Sequence, residues 1–224
     1  MYYISLDTAS ISEVLKTYFQ QMSDAQINMI IVGANNGDLK DFLTDFVHYK
    51  NVHGILVEPV PHLFKALKKK FARAKNLSLE NCALDKRTGI KTIYRVQDNT
   101  DFPEWSKGLG SFNKKVILGH ENQVRGLRKH VIPEKVKCIT FNSLIKKYRL
   151  EQVNLLQIDT EGHDFEIIKS IDFKKVRPDI IIVEYMHITF YQYFAMITLL
   201  MDNNYRVNKS HNSFDLIAVD EEIL

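Results

Sequence analysis

Hydrophobic and polar positions along this chain alternate between helical and strand periods. Ser10-x-x-Glu13 has the form of a helix capping box, and Ile11, Val14, Leu15, Tyr18, Phe19 and Met22 follow at helical spacing. Ile27 to Val32 is a short apolar run, broken only by Asn28 and closed by Gly33, the pattern of a strand buried on both faces. Leu39, Phe42, Leu43, Phe46 and Val47 predict a helix after Gly37. Gly54 to Val57 predicts a strand closed by Glu58-Pro59. Pro61 opens a helix carried by Leu63, Phe64, Leu67 and Phe71, and Leu77 to Leu84 predicts the next strand. Parallel strands joined by helices predict an α/β sheet with right-handed crossovers.

The middle is less regular. Ile90 to Val96 alternates as a strand does, but 99–135 has no sustained period and is read as an irregular insertion or lid. Lys137 to Phe141 predicts a strand, and Asn142 to Tyr148 a short helix. Val153 to Ile158 is a further buried run ending at Asp159, with a helix through Phe165, Ile168 and Ile171 behind it. Ile180 to Val183 ends at Glu184, and a helix is predicted over Tyr191 to Met201. Tyr205 to Asn208 and Phe214 to Val219, around His211-Asn212-Ser213, predict a β-hairpin.

A chain of 224 residues, 45% apolar and 25% charged, is expected to form a single domain over 1–224 with a helical extension at 1–25. Neither cysteine, Cys82 or Cys138, belongs to a C-x-x-C, and both are expected as buried reduced thiols. The opening residues lack a basic stretch and reach Asp7 early, so no secretory signal is expected. The longest apolar stretch, Phe190 to Met201, is interrupted and too short for a bilayer; the expected location is cytoplasmic.

Two motifs carry candidate chemistry. Gly33-Ala34-Asn35-Asn36-Gly37-Asp38 joins a buried strand to a helix, where a small residue lets backbone approach a ligand. Glu58, at the end of the next strand, can accept hydrogen bonds from ribose hydroxyls. The spacing is G-x-x-x-G and not the G-x-G-x-x-G of dinucleotide sites, which argues against a nicotinamide oxidoreductase. The second motif, Ile158-Asp159-Thr160-Glu161-Gly162-His163-Asp164, sets four ionisable groups at the carboxyl end of a buried strand, the edge at which open α/β sheets bind ligands. Asp164 is read as a helix-start acid.

These blocks, with Val57-Glu58-Pro59, Ala83-Leu84-Asp85 and Arg177-Pro178-Asp179 through Glu184, resemble in order the blocks of the FkbM family of S-adenosylmethionine-dependent methyltransferases. The resemblance covers roughly Ile27 to Glu184. It implies a class I methyltransferase (Rossmann-like) fold. That fold has a seven-stranded, mostly parallel sheet with helices on both faces and a C-terminal antiparallel hairpin. It also implies that Gly33, Ala34, Asn35, Gly37 and Asp38 cradle the methionine part of S-adenosyl-L-methionine. Glu58 and Pro59 would meet its ribose, Ala83 and Asp85 would border adenine, and Ser111 would line the pocket. Ile31 stands where the family often has an acid, which removes one polar tie to the loop or cofactor.

Methyl transfer to a hydroxyl needs an aligned acceptor and a group that takes its proton. His163 is the candidate base, with Asp159 and Glu161 as further catalytic candidates; Asp159 would orient His163 or contact the cofactor. His48, His53 and His187 show no comparable clustering in sequence. A Mg²⁺ ion shared by Asp159 and Glu184 is the alternative way to hold the acceptor. The formal charge of +3 is uneven: Lys114 to Arg149 holds ten basic and two acidic residues. This favours a small-molecule or glycan acceptor that is anionic, with a nucleic acid as the competing partner. The expected activity is O-methylation of a saccharide or small natural product. A non-catalytic cofactor-binding scaffold and a nucleic-acid methyltransferase are the alternatives.

Overall fold

The computed structural model describes residues 10–98, 100–210 and 213–224. Residues 1–9 of the expected N-terminal extension, Asn99 of the expected insertion, and His211 and Asn212 of the expected hairpin turn lie outside the described residues. The strands are β1 (Ile27–Val32), β2 (Val52–Val57), β3 (Leu77–Glu80), β4 (Ala83–Leu84), β5 (Gly89–Val96) and β6 (Gly110–Ser111). They continue as β7 (Val131–Ile139), β8 (Leu155–Ile158), β9 (Ile180–Glu184), β10 (Tyr205–Lys209) and β11 (Asp215–Asp220). The helices are α1 (Ile11–Gln21), α2 (Asp41–Thr44), α3 (Pro61–Lys70), α4 (Glu104–Lys107), α5 (Lys114–Leu118), α6 (Phe141–Tyr148), α7 (Asp164–Lys169) and α8 (Phe190–Asp202).

Seven strands make the main sheet in the order β10-β11-β9-β8-β1-β2-β3. β11 runs antiparallel to β9 and β10, and the other pairs are parallel. Strand alternation divides the core in two. Ile30, Val32, Leu156, Ile158, Ile181 and Val183 pack against α6, α7 and α8 on one face. Ile27, Met29, Ile31, Leu155, Ile180 and Ile182 pack against α1 and α3 on the other. Burial on both faces is why these strands read as nearly unbroken apolar runs, interrupted only by Asn28 and Gln157. β1 lies between β2 and β8, so chain order reverses at this point of the sheet, and the loops leaving β1 and β8 part to open a crevice. The fold is the class I methyltransferase α/β fold, with β10 and β11 as the antiparallel hairpin.

Three expectations change. Leu77 to Leu84 is two strands: Asn81 donates its amide to the carbonyls of Glu58 and Pro59 at 2.9 and 3.1 Å, and the chain turns there into a second sheet, β4-β7-β5-β6. Segment 99–135 is not irregular throughout. It holds α4, β6, α5 and turns of 3-10 helix, and β7 begins at Val131. Pro133 and the charged Glu134, Lys135 and Lys137 masked that strand, but β7 tolerates Pro133 because β4 reaches only Cys138 and Ile139 on its other side. The helix expected after Gly37 shrinks to α2 and a 3-10 turn at Phe46–His48. Its apolar pattern still marks burial, since Leu43, Phe46 and Val47 are in the core and Phe46 stacks on Phe19 with ring centroids 4.1 Å apart. Cys82 and Cys138 are free and buried, and burial pushes the Cys82 thiol up to about 12. Among the described residues no helix is long and apolar enough to cross a membrane.

Candidate active site

The loop after β1 is shaped by the strand beside it. Gly33 has φ +85°, and a Cβ there would fall 1.7 Å from the carbonyl oxygen of Asp159. Only glycine lets the two strand ends approach so closely. Gly33 and Ala34 both donate backbone N–H to Val57 O, at 2.9 and 3.0 Å. Asn35 is left-handed at φ +53° and donates its side-chain amide to Gly108 O at 3.1 Å, which draws the inserted segment over the loop. Gly37, at φ +91°, sits against Lys70 and Phe71, and Asp38 pairs with Lys70 at 2.6 Å.

Glu58 lies at the end of β2 and is 4% exposed. Its carboxylate accepts N–H groups from Asn35 at 2.9 Å and Val60 at 2.8 Å. Burial pushes its pKa up to about 7, and these two hydrogen bonds oppose the shift without cancelling it.

The turn after β8 is wound around Asp164. This buried carboxylate accepts from Thr160 N at 2.8 Å, Thr160 Oγ1 at 3.0 Å and Gly162 N at 3.0 Å. Burial raises its pKa to about 6, with the Asp159 charge adding to the effect. The winding puts Glu161 and Gly162 at φ +54° and +98°. Ser111 fastens the turn from outside, donating Oγ to Glu161 O at 2.6 Å. The inserted segment therefore touches both motifs.

His163 Nε2 stands 3.0 Å from Asp85 Oδ1, and Lys91 Nζ stands 2.7 Å from the other Asp85 oxygen. Burial works to raise the Asp85 pKa, but Lys91, the backbone N–H of Lys86 and His163 together outweigh it and hold the carboxyl below its ordinary range. An ionised carboxylate only accepts hydrogen bonds, so it assigns the proton to Nε2 and leaves the lone pair on Nδ1. Burial lowers the His163 pKa against the pull of Asp85.

Asp159 has a different partner. Lys40 Nζ lies 3.2 Å from Asp159 and 2.5 Å from Asp215. Burial would lower the Lys40 pKa, but Asp159 and Asp215 outweigh it and the group stays protonated. Burial, then the charges of Asp159 and Glu161, push the Glu184 pKa well above the ordinary carboxylate range. A lysine ammonium thus already stands at the Asp159 carboxylate that sequence reasoning paired with Glu184 around Mg²⁺.

One cavity joins these groups. Its lining includes Gly33, Ala34, Asn35, Asp38, Glu58, Pro59, Ala83, Asp159, Glu161 and His163 from the sequence candidates. Gly37, Asp85 and Ser111 are not in the lining; they hold the turn after β1, the His163 ring and the turn after β8, respectively. Sequence reading missed Lys40, Gly108, Phe112 and His187. Lys40 lies directly after the glycine loop and was legible as a cation beside an acid-rich edge. His187 pairs with Glu161, Nε2 to Oε2 at 3.0 Å, so its lack of neighbours in sequence was misleading. The Glu161 carboxylate beside it raises the His187 pKa against burial. All ten basic residues between Lys114 and Arg149 are exposed.

The Methyltransferase FkbM domain model matches residues 32–207. Among solved structures, the FkbM methyltransferase of Methylobacillus flagellatus KT is similar at 12% identity and a TM-score of 0.55, over 87% of this chain and 43% of that one. This chain thus spans less than half the length of that protein. Precorrin-6y C5,15-methyltransferase of Geobacter metallireducens GS-15 aligns at 12% identity and a TM-score of 0.43, over 98% of this chain and 95% of that one. The fibrillarin pre-rRNA processing protein of Methanococcus jannaschii aligns at 11% identity and a TM-score of 0.45, over 88% and 67%. No curated protein matches the chain. The family match spans most of the sequence, from the end of β1 into β10, and the chain belongs to the FkbM family of methyltransferases.

Proposed function

We propose that this chain transfers a methyl group from S-adenosylmethionine to a hydroxyl of a saccharide or small natural product. The observation that carries the reading is His163, in the wall of the cavity that Gly33 and Glu58 also line, with its ring held from outside the lining by Asp85. When bound, the donor supplies a methyl group on a cationic sulfur. Gly33 and Ala34 line the cavity where its amino-acid part would sit, and Glu58 offers carboxylate oxygens to ribose hydroxyls. Asn35, Asp38 and Pro59 complete that side, and Ala83 flanks the base. Gly37 and Ser111 act indirectly, by holding the two turns in shape.

On the acceptor side, His163 Nδ1 takes the hydroxyl proton as the acceptor oxygen attacks. Asp85 fixes the ring and its tautomer, so it is a positioning residue. Asp159 and Glu161 lie at the same wall and orient the acceptor, with the Asp159 charge balanced by Lys40. The exposed basic residues of the inserted segment favour an anionic acceptor over a neutral one.

The test is calorimetry with S-adenosylmethionine, followed by an acceptor screen with labelled methyl donor. Binding and transfer to a hydroxyl, lost in His163→Ala with donor binding retained, are the expected results. Absence of donor binding sinks the reading. Donor binding without transfer to any acceptor, indifferent to His163→Ala, would mark a non-catalytic scaffold instead.

A further inference from the structure

His120, Glu161 and His187 come from three distant parts of the chain: a 3-10 turn of the inserted segment, the turn after β8 and the loop after β9. Their ligand atoms all lie within 4.8 Å of one another. The two imidazoles meet edge to face, with ring centroids 5.4 Å apart. We propose that these three side chains bind a divalent first-row transition metal ion.

His120 gives the second, independent observation. It is 8% exposed, and its Nε2 is buried without a hydrogen-bond partner. A buried polar atom left in this way costs roughly 1–3 kcal/mol unless something else satisfies it. Its Nδ1 lies 3.0 Å from Gln123 Oε1, which can only accept. The proton therefore sits on Nδ1, and the lone pair is on the orphaned Nε2, aimed into the cluster. Metal-bound imidazoles are held in this way, with the far nitrogen donating to an oxygen. Glu161 Oε2 is likewise buried and makes no hydrogen bond of ordinary geometry, although His187 Nε2 stands 3.0 Å away. Its turn is braced for the position: Ser111 holds the Glu161 carbonyl, and a Cβ on Gly162 would come within 2.9 Å of His187 O.

The donor set selects the ion. Two imidazole nitrogens and one carboxylate suit Fe²⁺, Co²⁺ or Zn²⁺, whereas Mg²⁺ and Ca²⁺ favour all-oxygen shells. Three protein ligands leave coordination positions open. Glu161 is also in the wall of the cavity with His163. The role that follows, which rests on the O-methylation reading, is to hold an acceptor through two adjacent oxygens, such as a vicinal diol, beside the methyl donor.

The test is titration of chelator-treated protein with Co²⁺ and with Zn²⁺, followed by calorimetry and by the visible spectrum of Co²⁺. One equivalent is expected to bind, with imidazole-type absorption bands. His120→Ala and His187→Ala should each weaken binding about 100-fold, at least the loss typical of an indirect partner. His53→Gln should leave it unchanged, and S-adenosylmethionine binding should persist in His120→Ala. Should the alanine variants misfold, His120→Gln and Glu161→Gln carry the same expectation. Absence of stoichiometric binding, or equal binding in the variants, overturns the site. Metal binding without transfer to any diol leaves the site standing and overturns its role. Donor binding without any transfer is the separate failure of the O-methylation reading.

Discussion

Replacement of Gly33 by alanine tests the closeness of the two motifs. The new methyl carbon would lie 1.7 Å from Asp159 O, where packed atoms of this kind stay at least 3.0 Å apart, so the backbones must part by about 1.3 Å. The obstacle is main chain on both sides, so no rotamer change relieves it. Parting breaks the 2.9 Å bonds from Asp159 N to Val32 O and from Gly33 N to Val57 O. Each buried bond contributes about 1 kcal/mol net, and more when its partner is left unsatisfied. A non-glycine residue at φ +85° adds about 1–2 kcal/mol. The expected loss is about 4 kcal/mol in total, or about 8–16 °C in melting temperature for a chain of this size. Thermal unfolding measures it, and calorimetry should show S-adenosylmethionine affinity falling with it. Gly119→Ala is the control, because nothing lies within 4 Å of the Cβ it would add. A Gly33→Ala protein that melts with the parent and binds the donor equally would refute the reasoning.

Three further outcomes are expected. Asp85→Asn should lower kcat by about 100-fold or more while the KM for S-adenosylmethionine stays constant, since it removes only the orientation of His163; a rise in that KM at unchanged kcat would place Asp85 on the donor instead. Glu58, with a folded pKa of about 7 against an ordinary 4.5, stays protonated in the folded chain over a range where the unfolded chain has released its proton. It therefore takes stability away as pH rises from about 4.5 to about 7, by about 3 kcal/mol in all. Urea unfolding at pH 5 and pH 8 should show this difference shrinking in Glu58→Gln, and an unchanged difference would reject the assignment. Cys82 and Cys138, both buried, should react with a thiol reagent only on unfolding, so labelling of the native protein at the rate of a free thiol would contradict their placement.

Strands buried on both faces announced themselves, because their sequence need satisfy only one demand. Ile27 to Val32, Leu155 to Ile158 and Ile180 to Val183 are apolar but for Asn28 and Gln157, and they fixed the sheet and the acids at its edge. β7 was hidden because the face carrying Pro133, Lys135 and Lys137 is wet, while Glu134 on the other face is paired with Arg95; the run looks like loop until the partner strand is known. The glycine loop and the turn after β8 were legible as motifs, since both need specific residues at fixed offsets. Their partners were not. Nothing local to Asp85 joins it to His163, and nothing near His187 points to Glu161; those contacts come from the crossing of strands far apart in the chain. The same holds for Lys40, whose neighbours Asp159 and Asp215 arrive from β8 and β11.

The antiparallel pairing of β5 with β7 ends at Val96 opposite Val131, so the chain leaves and re-enters this sheet about 5 Å apart. Residues 97–130 therefore form an excursion closed at this gate, which returns to the sheet at β6 and touches the glycine loop through Gly108 and the turn after β8 through Ser111. Lengthening such an excursion costs little, because closure entropy grows only with the logarithm of its length. A homologue can replace this stretch wholesale, with a new shape and charge above the cavity, and keep β1, β2 and β8 in register beneath it. On the proposed function, divergence in the acceptor is then separable from the residues proposed to hold the donor.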